Sequence, residues 1–240
     1  TSLTTLDLGS KNITTVSVIS INTINTLLLN ANNIVNFNPT NSLSTSLDSI
    51  SLVGNQIVSF NPTIPLPEGL RSLSLTNNDI IEFNPTTALP STLESLSLGG
   101  NNITNFNPTI ALPSALKDID LSDNQILVFN PTLPLPSGLE ELHLQVNNIS
   151  NFNPTLALPN TIKRMYLNGN SLTSFNPTTG VPSGLQYLGL ANNHISMSSW
   201  NTNTAWINSA PNNAEIFADN SILGTTTFSL LTSKGWTITI

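Results

Sequence analysis

The chain has 240 residues, of which only 8% are charged, and its 6 lysines and arginines against 13 aspartates and glutamates give a net charge of −7. This weakly acidic composition excludes the basic surface that nucleic acid or anionic lipid would require. The lack of cysteine excludes a disulfide framework and thiolate chemistry, and no apolar run is long enough to predict insertion into a membrane.

The first segment, residues 1–23, is predicted to be a degenerate copy of a repeat that follows it. Leu3, Leu6 and Leu8 have the spacing of the later copies, but Lys11 stands where the others have asparagine. No polar capping element precedes this segment, so its strand is expected to show an unpaired edge. We expect upstream sequence or another subunit to cover residues 1–20.

From residue 24 to residue 199 one unit returns every 23 residues, which is typical of a solenoid. Residues 93–109, LESLSLGGNNITNFNPT, represent it. Its leucines alternate with polar residues, which predicts a short strand with the leucines pointing inward. Copies begin at Ile24, Leu47, Leu70, Leu93, Leu116, Leu139, Ile162 and Leu185.

Three further positions of the unit have structural roles. Asn101 and its equivalents are expected to bond the backbone groups that a turn leaves unpaired, forming a ladder. Phe106 and its equivalents are expected to stack as a spine. The Asn-Pro-Thr that follows, and the Leu-Pro beyond it, predict an extended rather than helical return segment, because proline restricts its own φ and its predecessor.

The pattern L-x-x-L-x-L-x-x-N-x-I, written here from Leu93 to Ile103, resembles the motif of the leucine-rich repeat family. The resemblance covers about residues 1–200. It implies a right-handed solenoid with a parallel β-sheet on the concave face and a mostly extended convex face with little helix. The L-P-x-x-L start at Leu112–Leu116 is similar to bacterial versions, and the Phe-Asn-Pro-Thr insert resembles repeat proteins of bacterial surfaces and phage tails.

The solvent-facing strand positions change along the repeats. They are small and mostly hydroxylated in the early units and become charged and aromatic in the later ones. Equivalent residues should lie one strand spacing apart, about 4.8 Å, in rows on one face. We interpret the later residues as a binding patch, while the alternative is a set of solvated side chains with a weak Glu141–Arg164 pair. The patch comprises Asp118, Asp120, Glu141, His143, Arg164, Tyr166 and Tyr187.

Past Asn193 the pattern breaks, and residues 200–240 are predicted to form a C-terminal cap. Large apolar side chains such as Trp200 and Trp206 occur here without the repeat spacing. Residues 226–233 are expected to form a helix that ends before Gly235, and residues 236–240 a final strand.

Neither a catalytic site, a metal site nor a cofactor is predicted. Residues 118–129 superficially resemble a calcium loop but lack its glycine and its terminal glutamate. A cation shared by Asp118, Asp120, Glu141 and His143 is geometrically possible, but nothing supplies carbonyl ligands or a closed cage. No serine is placed beside an oriented base, as nucleophilic catalysis would require.

We therefore expect a non-enzymatic recognition or adhesion module, extracellular, on a bacterial cell surface or a phage virion. The resemblance implies binding of a protein or glycan through the concave face. The alternative is a structural component that assembles through its terminal edges, with the N-terminal edge pairing to another copy.

Overall fold

The computed structural model describes residues 3–16 and 23–240 and shows one parallel sheet of 11 short strands that follow one another in chain order. Neighbouring strands come from successive turns, as the 23-residue period predicts. The strands are β1 (Thr5–Asp7), β2 (Thr26–Leu28), β3 (Ser49–Ser51), β4 (Ser72–Ser74), β5 (Ser95–Ser97), β6 (Asp118–Asp120), β7 (Glu141–His143), β8 (Arg164–Tyr166), β9 (Tyr187–Gly189), β10 (Glu215–Phe217) and β11 (Thr237–Thr239).

All helix in the described ranges lies after residue 196. It comprises α1 (Met197–Thr202), α2 (Thr226–Ser233) and two 3₁₀ turns at Ala205–Asn208 and Asn220–Ile222. The return segments of the repeats are extended, which confirms the prediction of a solenoid with little helix on its convex side.

The predicted core is confirmed in each of its layers. Leu93, Leu96 and Leu98 are fully buried, and their equivalents join them in one continuous apolar cluster. On the opposite side of each turn the buried phenylalanine rings stack with centroids 6.0 to 6.5 Å apart. The stacked rings are Phe37, Phe60, Phe83, Phe106, Phe129, Phe152 and Phe175.

The asparagine ladder is also present. The Asn101 amide donates to the carbonyls of Leu75 and Leu98 at 3.0 and 2.9 Å, and its oxygen accepts from the Ile80 N–H at 3.0 Å. Asn78 donates to the same Leu75 carbonyl, so each leucine carbonyl serves two rungs. This sharing links every turn to the next through buried polar groups.

A second ladder accounts for the Asn-Pro-Thr sequence, which the proline argument explained only in part. The Asn84 side-chain oxygen accepts from both the N–H and the hydroxyl of Thr109, at 3.0 and 2.7 Å, on the next turn. The same pair recurs on successive turns, and Asn201 repeats it with Thr226. Asparagine and threonine therefore recur together because each bonds to the other one turn away.

The C-terminal segment continues the sheet. β10 pairs with β9 after a step of 28 residues, and β11 pairs with β10 after 22. Asp219 accepts from the N–H groups of Asn192 and Asn193, whereas the equivalent N–H groups of Asp123 and Asn124 bond backbone carbonyls of the next turn. The predicted helix and final strand are present, and Gly235 has a φ of 78°. The boundary of a separate cap at residue 200 stays a prediction.

At the other end, β1 pairs with β2. Residues 1–20, which we expect upstream sequence or another subunit to cover, lie partly outside the described ranges, because residues 1–2 and 17–20 are not among them. That expectation therefore stays open.

Val146 is the least suitable residue at a recurring left-handed position. The residue before each ladder asparagine has a φ between 51° and 67° in the turns from Ala31 to Asn192, and most are glycine, asparagine or aspartate. A β-branched residue is strained there, and Val146 is also 55% exposed. We expect Val146→Asn to raise the free energy of unfolding by roughly 0.5–1 kcal/mol in urea denaturation.

The control is Leu127→Asn, which replaces a similarly exposed apolar residue outside the left-handed positions. We expect this change to stay within about 0.5 kcal/mol of the wild type. Equal effects of the two substitutions would show that the gain in the free energy of unfolding comes from removing an exposed apolar side chain and not from relief of backbone strain.

Candidate ligand-binding site on the concave face

The patch residues lie in two rows on the solvent side of the sheet, in the register that the repeat length predicts. One row holds Asp118, Glu141, Arg164 and Tyr187, and the next holds Asp120, His143 and Tyr166. The central residue of each of these strands, such as Ile119 or Met165, is buried, so the residues on either side of it point to the solvent. The structure thus brings all seven residues onto one face, and their role in binding stays a prediction.

The aromatic members form a continuous run across three strands. The His143 and Tyr166 rings are 4.5 Å apart and nearly parallel, at 12°, and Tyr187 follows at 5.1 Å and 41°. Burial raises the pKa of both tyrosines, so their hydroxyls remain protonated at neutral pH. The run therefore offers neutral hydrogen-bond donors together with apolar surface.

The carboxylates of the patch are unequally compensated. Glu141 binds Arg164 at 2.6 Å, and both Glu141 and Asp118 lie 3.4 Å from Nε2 of His143. Asp118 accepts from the Ser95 hydroxyl through Oδ2, at 3.4 Å, whereas its buried Oδ1 has no hydrogen bond. Burial, and then the charges of Asp120 and Glu141, raise the pKa of Asp118 against the opposing effect of His143.

A row of alternating charge borders the patch, and the sequence analysis missed it. Its members occupy the position after the first leucine of each unit. The sequence pattern that could have revealed the row is a charge at this position that changes sign from one unit to the next, every 23 residues. Glu94 lies 2.6 Å from both Arg71 and Lys117, and Lys163 lies 2.6 Å from Glu140. In chain order the row is Asp48, Arg71, Glu94, Lys117, Glu140 and Lys163. The three acidic and three basic side chains of this row pair with one another, so the row carries no net charge.

Glu94 provides a test of this row. Its hydrogen bonds to Lys117 and Arg71 lower its pKa, so its stabilising contribution is present above the ordinary value of 4.5 and is lost as the pH falls through the lowered pKa. We expect Glu94→Gln to lower the urea midpoint slightly at pH 7. The difference from the wild type should vanish in about 1 M NaCl, where charges are screened within about 3 Å, and in acid below the lowered pKa. A difference that persists in both conditions would show that packing, not charge, is responsible.

Within residues 3–16 and 23–240, the histidine, aspartate and glutamate side chains form no cluster arranged to hold a metal ion. In the same part of the chain, no helix combines the length and apolar character needed to cross a bilayer.

Comparison with known proteins identifies the fold. No protein-family profile and no curated protein matches the chain. Among solved structures, YopM from Yersinia enterocolitica is similar with a TM-score of 0.62 and 24% identity over 90% of this chain. The chain spans 43% of the length of that YopM. This similarity, together with the repeat, shows the leucine-rich-repeat fold.

Two further structures are similar at lower TM-scores. A leucine-rich-repeat protein of Leptospira interrogans has a TM-score of 0.37 and 16% identity, over 99% of this chain and 84% of its own. YopM from Yersinia pestis, described as a leucine-rich effector protein, has a TM-score of 0.28 and 15% identity, over 98% of this chain and 88% of its own.

Proposed function

From the leucine-rich-repeat fold of this chain, we propose that it is a non-enzymatic recognition module that binds a protein or glycan through the concave patch. The supporting observation is that both tyrosines of the chain, with His143 and Arg164, lie on one face of three adjacent strands. Tyrosine and arginine are the residue types that most often anchor interfaces. The earlier strands of the same face present mainly serine and offer no such anchors.

We also propose that the module acts outside the cell, in adhesion or receptor recognition on a bacterial surface or a phage virion. The support for this part is the resemblance of the Phe-Asn-Pro-Thr insert to repeat proteins of those surfaces. Immunogold labelling of intact source cells and of particles from their cultures tests it, and label confined to the interior of permeabilised cells would contradict it.

The patch is tested with the triple variant Arg164→Ala, Tyr166→Ala, Tyr187→Ala. Ligands are first selected on the wild type from a random twelve-residue peptide library and from a glycan array. We expect the selected ligands to lose at least about 10-fold in affinity on the triple variant, because truncation of interface anchors is costly. The urea midpoint should change little, since these side chains are partly exposed.

The matched control is the triple variant Ser49→Ala, Ser51→Ala, Ser72→Ala, which changes the same face at the serine-lined strands. We expect it to retain affinity within about twofold, because each truncation removes a single hydroxyl outside the patch. Ligands that bind both triple variants as they bind the wild type would contradict the proposal.

The second candidate, assembly through the terminal edges, is favoured by one observation at the first turn. Leu3 is 51% exposed, whereas Ile24 at the equivalent position is fully buried. Light scattering over a range of concentrations separates the candidates. A monomer throughout favours recognition, whereas assembly that survives the Arg164, Tyr166 and Tyr187 changes favours a structural role through the edges.

A further inference from the structure

Strand β6 lies at a step in the concave surface. On one side it pairs with β5, which presents the small side chains of Ser95 and Ser97. On the other side it pairs with β7, which presents Glu141 and His143. Asp118 and Asp120 therefore border a lower surface that a ligand can approach from the serine side.

Among residues 3–16 and 23–240, no lysine or arginine forms an ion pair with either aspartate. Arg71, Lys117, Lys163 and Arg164 are each bound to other carboxylates. The Oδ1 atom of Asp118 is buried 3.4 Å from Nε2 of His143 and accepts no hydrogen bond, and burial raises the pKa of this carboxyl, so its negative charge is poorly compensated in the free protein. The side chain is 38% exposed, which leaves Oδ2 as the oxygen that a ligand can reach. A cation beside it would favour the ionised form.

Asp120 offers a second acceptor beside the same step. Its Oδ1 accepts from the N–H and hydroxyl of Ser122 at 2.9 and 2.6 Å. Its Oδ2 faces Gly99, where a Cβ atom would lie only 2.9 Å from it. Gly99 is itself buried, and only because it lacks a Cβ atom can the Asp120 carboxylate and the Ser122 hydroxyl lie against it.

The aromatic run favours a protein ligand over a glycan. A ring holds a flat ligand through its face, but His143 covers one face of Tyr166 at 4.5 Å and Tyr187 lies on its other side at 5.1 Å. At Tyr166, in the middle of the run, the ring edges and the hydroxyl are what remain for contact. Such edges suit the irregular side chains of a protein segment better than the flat face of a sugar.

We propose that the step at β6 binds a basic side chain of a partner protein, with Asp118 and Asp120 as its acceptors, while the aromatic run contacts the adjoining segment. This inference rests on the proposed function of the patch. The two aspartates are two positions apart on one strand, so their Cα atoms are separated by roughly 6.5 Å. Arginine fits this spacing because its planar group carries five donors that can serve two carboxylates at once.

The test uses fluorescein-labelled ten-residue peptides of alternating glycine and arginine, or glycine and glutamate, in anisotropy titrations. The variant is Asp118→Asn with Asp120→Asn, which keeps side-chain shape and the Ser122 bonds. The matched control is Asp79→Asn with Glu82→Gln, which removes the same charge from exposed residues elsewhere. We expect the Kd of the arginine peptide to rise at least about fivefold in the variant and less than about twofold in the control.

Gly99→Ala provides an independent readout, because its Cβ atom would lie 2.9 Å from Asp120 Oδ2 and 3.0 Å from Ser122 Oγ, which displaces the Asp120 carboxylate and keeps every charge. It should weaken the arginine peptide about threefold or more, in the range of one impaired charged hydrogen bond. Equal weakening by the two charge variants would show only long-range attraction and would overturn the inference, as would an unchanged Kd in both Asp118→Asn, Asp120→Asn and Gly99→Ala.

The inference and the proposed function fail differently. Peptides or glycans that need Tyr166 and Tyr187 but ignore the Asp118 and Asp120 changes would overturn the basic-ligand inference and leave the recognition patch standing. If no selected ligand depends on the tyrosines and the arginine peptide ignores both aspartates, both proposals are overturned.

Discussion

Asn101→Ala is expected to lower the free energy of unfolding by roughly 2–4 kcal/mol, measured by urea denaturation with circular dichroism. The substitution leaves the N–H of Ile80 without a partner in a buried position, and an unsatisfied buried group costs about 1–3 kcal/mol. It also removes the bonds to Leu75 and Leu98. The loss is limited because those two carbonyls keep the bonds from Asn78 and Asn124.

Two further variants separate the ladder from other effects. Asn105→Ala removes an exposed asparagine of the same turn and should stay within about 0.5 kcal/mol of the wild type. Asn101→Asp keeps the acceptor for Ile80 but turns a charged oxygen toward two carbonyls, so we expect it to be at least as destabilising as alanine at pH 7. A loss for Asn101→Ala no larger than that for Asn105→Ala would refute a stabilising role of the ladder.

The fold was predictable from the sequence where the period is constant. Because the repeat length is constant, the leucines and the equivalents of Asn101 and Phe106 lie next to one another in successive turns. The inward leucines, the asparagine ladder and the phenylalanine stack therefore follow from the spacing alone. The continuation of the sheet into β10 was not predictable this way, because the step of 28 residues breaks the period. The Asn84–Thr109 ladder was missed for another reason, since its partners lie 25 residues apart and belong to different units.

The candidate site was predictable to the level of strand and face. Constant repeat length places Asp120, His143 and Tyr166 side by side, as the pairing confirms. What the rings cover depends on their side-chain rotamers, which no periodic pattern specifies. The stacking of His143 and Tyr187 on the two sides of Tyr166, and with it the argument against a glycan stacking on Tyr166, could therefore come only from the structure.

Phe106→Ala is expected to cost about 3–5 kcal/mol, the range for removing a buried aromatic ring. Phe106 is 1% exposed and lies between Phe83 and Phe129, at 6.5 and 6.4 Å. Burial should dominate this loss, because stacking adds only about 0.5–1.5 kcal/mol beyond the buried area. Phe106→Leu, which retains most of the apolar volume, should therefore lose only about 1–2 kcal/mol. Similar losses for leucine and alanine would show instead that ring stacking holds the turns together.

The position of Phe106 adds a second expected result. In a solenoid each turn contacts only its neighbours, so cooperativity between the two halves passes through every interface between them. Phe106→Ala weakens the contacts of the central turn with the turns of Phe83 and Phe129. The urea transition should therefore become broader, with a lower m value, as the two sides begin to unfold separately. A transition shifted to lower urea with an unchanged slope would show that the chain still unfolds as one cooperative unit, with the asparagine ladders sufficient to couple its turns.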